Sequence, residues 1–177
     1  MTATQNRRKL RANFTIGIDM HFPMPEGDPC FFCDIASGKT HQWQIVGEDE
    51  LTITLLNGRQ FEIGQCIVIP RRHAPTLLDL KEAEESAVMA AAKRLARALV
   101  ATYSPDGVLL YQNNGVGSGQ EVPHFHLHIV PRQPESDWGF GPPHLERLEK
   151  EGRLRHQNHL EVTDEKKQAV ADIRSHL

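Results

Sequence analysis

Three histidines alternate with large apolar side chains in the segment EVPHFHLHIVPR, where Phe125 and Leu127 separate His124, His126 and His128. Alternation with a period of two is typical of a β-strand that has one face in the core. On such a strand the three imidazoles share the other face, with Cβ atoms about 6.6–7 Å apart. Because imidazoles titrate near neutrality, this row predicts nucleophilic, acid–base or metal chemistry.

A glycine-rich loop, NNGVGSGQ, comes directly before the histidine row. Gly115, Gly117 and Gly119 permit tight turns that point backbone N–H groups at an anion, and phosphate is the commonest one. Asn113 and Gln120 add neutral donors. The loop lacks the Lys-Ser/Thr ending of a P-loop. A neutral histidine beside a bound phosphate can attack phosphorus, so the pattern predicts phosphoryl or nucleotidyl transfer.

The histidine row is also compatible with two hypotheses that involve no phosphate. The three histidines could be structural, although their regular alternation and polar lead-in make that the weaker hypothesis. They could instead form a purely metal-binding HxHxH motif, since histidine is the commonest metal ligand. Against that, the sequence contains neither an HxHxDH pattern nor a second HxH.

The pair Cys30 and Cys33 has the CxxC spacing that places two thiolates on one tetrahedral Zn²⁺. The same spacing also serves redox-active thiols, but no thioredoxin-like βαβ pattern surrounds it. Cys66 lies in the apolar run GQCIVIP, where we expect it to be a small buried side chain.

Composition suits one ordinary domain: the chain has 177 residues, of which 39% are hydrophobic and 24% charged. A formal net charge of −3 argues against nucleic acid as a partner. No run reaches the roughly 18 apolar residues of a membrane span, and no signal-peptide pattern opens the chain. Three cysteines without such a signal favour thiols or metal over disulfides. We therefore expect a cytoplasmic protein with no membrane contact.

The order of elements predicts an α+β fold with an antiparallel sheet of about five strands. WQIVGEDELTITLL, GQCIVIP, GVLLYQN and the histidine row supply the strands. Residues 79–103 predict one long helix, with Asp79 and Glu82 spaced as a capping box, and a charged C-terminal helix follows. We expect an N-terminal arm over residues 1–28, a core domain over 29–135, and a loop and helical tail over 136–177 that packs on it.

The segments CFFCDI, LLNGRQFEIGQCIVIPRRH and NNGVGSGQEVPHFHLHIVPR stand in the order and spacing of the histidine triad superfamily of nucleotide hydrolases and transferases. The chain resembles a zinc-bearing bacterial member over residues 30 to 132. The resemblance implies that His126 is a nucleophile toward the α-phosphorus and that His128 assists departure of the leaving group. It also places Gln120 and Asn113 at the phosphate. The substrate-binding residues that it implies are Asn57 at the ribose, Gly119 in the phosphate loop, and Phe31, Phe32 and Ile35 at the base.

The resemblance also completes a metal site, because zinc-bearing relatives combine the cysteine pair with His73 and His124. Four protein ligands leave no open position on the ion, so we expect the zinc to be structural. Apolar residues at the base position could equally be core, and for Phe32 core is the better hypothesis. Relatives form homodimers, and we expect the same here.

One residue departs from the pattern: many relatives have Ser or Thr where this chain has Glu121. A carboxylate beside a phosphate is unfavourable, so we expect Glu121 to point away from it. The resemblance implies cleavage of a dinucleoside polyphosphate or nucleoside phosphoramidate of a purine, adenine being preferred. A nucleotidyltransferase or phosphorylase, and a zinc-stabilised nucleotide-binding module with little turnover, remain alternatives.

Overall fold

The structure is a computed structural model, and it describes residues 22–133, 136, 141, 147, 150–152 and 161–177. Most of the predicted N-terminal arm, and most of the predicted loop after the core domain, lie outside these residues.

Five strands form one sheet: β1 is Ile45–Glu48, β2 is Thr52–Leu56, β3 is Cys66–Pro70, β4 is Gly107–Tyr111 and β5 is Leu127–Arg132. Their spatial order is β1-β2-β3-β5-β4, and every neighbouring pair is antiparallel. The predicted α+β class and the five-stranded antiparallel sheet are confirmed. The histidine strand β5 is internal, between β3 and the edge strand β4.

In the part of the chain that the structure describes, helices α1 (Phe31–Ala36), α2 (Glu82–Tyr103) and α3 (Asp164–Arg174) accompany the sheet. The predicted long helix corresponds to α2, and the predicted C-terminal helix to α3. The short helix α1 was not predicted; it places Cys30 at its N-cap and Cys33 one turn later. Among the residues that the structure describes, no helix combines the length and the apolar character that crossing a bilayer requires.

Successive residues of β3 serve two separate cores, one on each face of the sheet. Cys66 and Val68 pack with α2 and with Val170 and Ile173 of α3. Ile67 and Ile69 face the other way and pack against α1. Each fully buried aliphatic side chain of this kind stabilises the fold by about 1.5–3 kcal/mol. The cysteine pair is therefore anchored on the face of the sheet opposite α2.

The histidine row is only partly a strand. Regular pairing begins at Leu127, because the backbone turns just before it: the His124 N–H donates to the Val122 carbonyl and the Phe125 N–H to that of Ala74. The predicted alternation of apolar side chains holds, because Phe125, Leu127 and Ile129 all enter the α2 core. Because of this turn, the ring of His124 has a different set of neighbouring residues from the rings of His126 and His128.

The long helix begins later than its predicted cap. Asp79 belongs to a 3-10 turn, Leu77–Asp79, where its carboxylate accepts from the Thr76 N–H. The first residue of α2 is Glu82, and the carboxylate of Glu84 accepts from the Lys81 N–H at 2.9 Å. The Asp79/Glu82 capping box is therefore wrong, and only the Glu84 half of a box forms, two residues further along.

Candidate active site and metal cluster

The ring of His126 is held in one tautomer by the backbone. Its Nδ1 lies 2.7 Å from the carbonyl oxygen of His124. A carbonyl oxygen only accepts, so Nδ1 carries the proton and Nε2 has a free lone pair. The side chain is largely buried, with 8% of its surface exposed. His126 therefore has the proton distribution that a nucleophile needs.

His128 lies beside it, with the two ring centroids 4.9 Å apart. In the sheet, His128 is paired with Ile67 of β3 on one side and with Tyr111 of β4 on the other. Paired side chains point to the same face, so these three form a row on the face that carries α1. The Tyr111 ring stacks on the imidazole of His128 at 4.3 Å.

The surroundings of both histidines favour the neutral imidazole. Burial lowers the pKa of His126, although its bond to the His124 carbonyl and the charge of Glu121 act in the opposite direction. Burial also lowers the pKa of His128 well below its ordinary value, and neighbouring His126 adds to the effect. An uncharged imidazole is the form that attacks phosphorus.

A second cluster joins Cys30, Cys33, His73 and His124, whose ligand atoms all lie within 4.8 Å of one another. Sγ of Cys30 lies 3.4 Å from Nδ1 of His124, and Sγ of Cys33 lies 3.3 Å from Nδ1 of His73. The structure thus brings together all four residues of the expected metal set, from the N-cap of α1, the end of β3 and the turn before β5.

These four residues fit zinc. Bonds of about 2.3 Å to sulfur and about 2.0–2.1 Å to nitrogen at tetrahedral angles set sulfur and nitrogen about 3.5 Å apart. The distances from Cys30 to His124 and from Cys33 to His73, and 3.6 Å from Cys33 Sγ to His124 Nδ1, match that edge. Nε2 of His124 lies 2.9 Å from the Pro70 carbonyl and donates to it, which leaves Nδ1 unprotonated toward the sulfurs.

Burial disfavours the charged forms of two groups in this cluster. Burial, followed by the neighbouring Cys30, raises the pKa of the Cys33 thiol to about 11. Burial lowers the pKa of His124 to about 4, even though its bond to Pro70 acts in the opposite direction. A divalent cation would offset the cost of the Cys33 thiolate, and neutral His124 is already in its ligand form.

The side chain of Gln120 is buried and fully hydrogen-bonded within the protein. Its Nε2 donates to the carbonyls of Pro75 and Val122 at 2.8 Å each, and its Oε1 accepts from the Gly115 N–H at 2.7 Å. Gln120 therefore holds the glycine-rich loop in shape. A direct contact with phosphate would require it to give up one of these bonds.

Several backbone N–H groups of the loop are also engaged, which differs from the expected anion nest. Val116 donates to Pro23, Ser118 and Gln120 donate to Gly115, and Gly119 donates to Val116. Gly119 is exposed and has φ 84°, a conformation that favours glycine. The loop is thus a wall beside the histidines that is held together by bonds within the protein itself.

The remaining polar positions surround this wall. Nδ2 of Asn113 lies 3.4 Å from the Gly119 carbonyl. Asn57 follows β2, is half-buried, and donates its backbone N–H to the carbonyl of Gln65 at 2.9 Å. The side chain of Gln65 in turn lies beside His128. Gln65 is therefore the residue that connects Asn57 to the histidine pair.

The three apolar residues expected at the base differ in exposure. Ile35 and Phe32 are core residues, being 1% and 6% exposed. Phe32 also contacts the His126 ring, with centroids 5.3 Å apart. Phe31 is half-buried and packs edge-on to His41. Phe31 therefore offers the most accessible apolar surface of the three.

Glu121 points into solvent, and its carboxylate lies 3.2 Å from the guanidinium of Arg59. This arrangement meets both conditions that make a carboxylate tolerable near a phosphate: it is exposed, and a cation lies beside it.

Part of the N-terminal segment lies against the glycine-rich loop. The Pro23 carbonyl accepts from Val116, and a Cβ on Gly115 (φ 76°) would come within 2.4 Å of Phe22.

A family model described as the HIT domain matches residues 39–135, more than half of the chain. The chain belongs to the HIT family. A HIT-like protein of Mycoplasma genitalium is 40% identical over 112 residues, which cover 63% of this chain and 78% of that protein. An adenylylsulfatase of Arabidopsis thaliana is 28% identical over 84% of this chain and 69% of its own length.

Among solved structures, the chain is similar to a zinc-bound histidine triad family protein of Mycobacterium smegmatis. The TM-score is 0.60 at 31% identity, and the match covers 82% of this chain and 96% of that one. HIT family membership indicates activity of the nucleotide hydrolase or transferase type, in proteins that bind nucleotides and often dimerise.

Sequence reasoning missed two residues that contact His128, namely Gln65 and Tyr111. Both owe their place to the pairing of β3, β5 and β4, which joins residues far apart in the chain. The only local signal was a polar residue at the start of an otherwise apolar strand, in GQCIVIP.

Proposed function

We propose that this protein is a nucleotide hydrolase that cleaves at the α-phosphate through a nucleotidyl-histidine intermediate on His126. The single observation that carries the proposal is the bond from Nδ1 of His126 to the His124 carbonyl. That bond leaves the Nε2 lone pair free on a ring whose surroundings favour the neutral form. The substrates would be dinucleoside polyphosphates or nucleoside phosphoramidates, and the product a nucleoside monophosphate.

In the first step, Nε2 of His126 attacks the α-phosphorus in line with the leaving group. A P–N bond to His126 forms, and the bond from phosphorus to the leaving group breaks. An anhydride leaves as its anion, and an amine leaves after it gains a proton from solvent. His128 donates a hydrogen bond to an oxygen on which negative charge develops. Water then attacks phosphorus, the P–N bond breaks, and His126 departs as neutral imidazole while the proton of the water goes to solvent.

Substrate binding would use the surrounding residues as the family resemblance implies. Asn57 would contact the ribose hydroxyls, and Phe31 with Phe32 and Ile35 would border the base. Asn113, Gly119 and Gln120 would form the wall beside the phosphate. The internal bonds of Gln120 favour a role in shaping that wall.

We further propose a structural zinc ion held by Cys30, Cys33, His73 and His124. The S···N distances and the unprotonated Nδ1 of His124 support it. These four ligands would fill all four coordination positions of the ion. The ion would then link α1 to the segment before β5. Two cysteine thiolates on zinc suit a reducing compartment such as the cytoplasm.

We also propose that the protein is a homodimer. β4 is an edge strand of the sheet, and Leu110 on it is 41% exposed. Edge strands with apolar side chains invite pairing with another chain unless they are covered.

The test is a substrate panel combined with rapid quenching. It includes dinucleoside tri- and tetraphosphates, an adenosine phosphoramidate and, because one relative is an adenylylsulfatase, adenylyl sulfate. Each substrate is run with and without inorganic phosphate. We expect an acid-labile nucleotidyl group on His126 and a nucleoside monophosphate as product. A nucleoside diphosphate formed only with added phosphate would favour the phosphorylase alternative.

His126→Asn should lower turnover by at least about a thousandfold, because no lone pair remains at the attacking position. Nucleotide binding and the melting temperature should change little. His176→Asn, an exposed histidine on the end of the chain, is the matched control and should retain full turnover. Parental turnover by the His126 variant would contradict the covalent mechanism, and binding without a nucleotidyl group in the parent would favour the binding-module alternative.

A further inference from the structure

Gln65 has a buried side chain, 1% exposed, whose amide orientation is fixed by its neighbours. Its Oε1 accepts from the Phe61 N–H at 3.2 Å. The other end, Nε2, lies 3.4 Å from both the Tyr111 hydroxyl and Nδ1 of His128. Because a backbone N–H only donates, the amide oxygen must face Phe61 and the amide nitrogen must face His128.

This orientation determines where the proton of His128 lies. An amide nitrogen only donates, so Nδ1 of His128 must accept, and the single ring proton is on Nε2. The stacked ring of Tyr111, inclined by 7°, keeps the imidazole in this plane. His126 next to it has the opposite tautomer, with the proton on Nδ1.

Gln65 also opposes a second proton on His128. An imidazolium has an N–H at both nitrogens, and its Nδ1–H would face the N–H of Gln65, so two donors would meet without an acceptor. Burial lowers the pKa of His128 in the same direction. A neutral imidazole with its proton on Nε2 can give a hydrogen bond, but giving away that proton would leave an imidazolate anion.

Resting on the proposed function, we infer that Gln65 keeps His128 a hydrogen-bond donor that does not transfer its proton, which restricts the site to leaving groups that depart as stable anions. Phosphoric and sulfuric anhydrides meet this condition, because phosphate and sulfate need no proton to depart. Alkylamine phosphoramidates do not meet it, because the nitrogen must gain a proton before the P–N bond of the substrate breaks. Gln65 is thus a positioning residue that selects the substrate class.

The first experiment compares kcat/KM for two substrates that share the adenylyl group, a diadenosine polyphosphate and an adenosine phosphoramidate of an alkylamine. We expect the anhydride to be favoured by at least about a hundredfold, the contribution that a general acid typically makes. Equal rates for the two substrates would overturn the inference.

The second experiment is the variant Gln65→Glu, whose carboxylate can accept from Nδ1 of His128 and still accept from Phe61. It permits an imidazolium, so the phosphoramidate-to-anhydride ratio of kcat/KM should rise about tenfold or more. The matched control is Gln60→Glu, another buried glutamine of the same loop that bonds the Gly64 N–H and the Asn57 carbonyl. It should leave that ratio unchanged, and an equal rise in both variants would contradict the role of Gln65.

The third measurement does not depend on turnover or on a folded variant. Two-bond ¹H–¹⁵N correlation spectra of the ¹⁵N-histidine-labelled parent should show His128 neutral with its proton on Nε2 at pH 6. An imidazolium or an Nδ1–H tautomer would overturn the inference. A parent that forms no nucleotidyl-histidine with any substrate would instead overturn the proposed function, while these spectra still report the proton of His128.

Discussion

The three histidines of the row differ because their non-reacting ring nitrogens meet different partners. Nε2 of His124 donates to the Pro70 carbonyl, so its Nδ1 is free for a metal. Nδ1 of His126 donates to the His124 carbonyl, so its Nε2 is free for phosphorus. Nδ1 of His128 accepts from Gln65, so its Nε2 presents a proton. Identical side chains thus obtain distinct functions from backbone and amide groups behind them.

Removing one metal ligand tests the zinc proposal. Cys33→Ser should abolish the binding of one zinc ion per chain and lower the melting temperature by about 10 °C or more, since a structural zinc contributes several kcal/mol to folding. A chelator should reproduce this loss in the parent and add nothing in the variant. Metal content by atomic emission and thermal unfolding followed by circular dichroism are the measurements.

Cys66→Ala is the control for losing a thiol that is not in the cluster. Cys66 is buried in the α2 core, so its removal should lower stability by a cavity effect while zinc content stays at the parental value. If a chelator left the melting temperature of the parent unchanged, the zinc proposal would fail.

At this scale the sequence predicted the residues whose types are distinctive and close together in the chain. The histidine row and the CxxC pair are visible as patterns, and the resemblance added His73. Gln65 and Tyr111 could not be predicted, because a glutamine and a tyrosine are ordinary in a strand. Their significance depends on which residue of β5 lies between them, which is set by strand register.

At the scale of elements, the site depends on the pairing of three strands. Ile67, His128 and Tyr111 lie opposite one another on β3, β5 and β4. Gln65 lies two residues before Ile67 and shares its face. A shift of β5 by one residue would turn His128 toward the α2 core, so the sheet register determines the chemistry.

The start of α2 is held by a buried carboxylate. Glu84 is 6% exposed in its side chain and bonds both Nε and one terminal nitrogen of Arg72, at 2.8 and 2.6 Å. Its bonds with Arg72 lower its pKa from 4.5 to about 2. We expect Glu84→Gln to destabilise the protein by about 1.5–3 kcal/mol at pH 7.

Linkage gives the pH dependence of that difference. A carboxyl group whose pKa is lower in the folded protein stabilises the fold above its unfolded pKa and loses this effect on acidification. The difference in the free energy of unfolding between the parent and Glu84→Gln should therefore be largest above about pH 5. It should decrease below about pH 4.5 and approach zero toward pH 2. Urea unfolding at pH 7 and pH 3.5 measures it. A gap that grew on acidification would contradict the assigned role of the ion pair.

The elements themselves were well predicted where the pattern was long or strongly periodic. The alternating strands β1 and β2, the apolar strand β3 and the 22-residue helix α2 follow the sequence pattern closely. The cap of α2 was misplaced, because the Asp79 carboxylate accepts from the Thr76 N–H in the preceding 3-10 turn, while the Glu84 carboxylate accepts from the Lys81 N–H. The turn that removes His124 from β5 depends on Ala74, fifty residues earlier, which no local pattern encodes.

At the scale of the molecule, the β4 edge of the sheet is a candidate contact for another chain. Among the described residues β4 is paired with β5 alone, and Leu110 on β4 is exposed. Two copies of β4 meeting about a two-fold axis would pair antiparallel and would bury Leu110 in both chains. Such a contact would also support Tyr111, the residue that stacks on His128.

We therefore expect sedimentation velocity to give twice the mass of the chain at micromolar concentration. Leu110→Lys should shift the protein toward monomers, because it places a charge in the buried contact of each copy. Met89→Lys is the matched control, since Met89 is 57% exposed and belongs to α2, not to β4, and this variant should remain dimeric. A parent that sediments as a monomer at every concentration would contradict the dimer, and dissociation by Met89→Lys alone would move the interface to the outer face of α2.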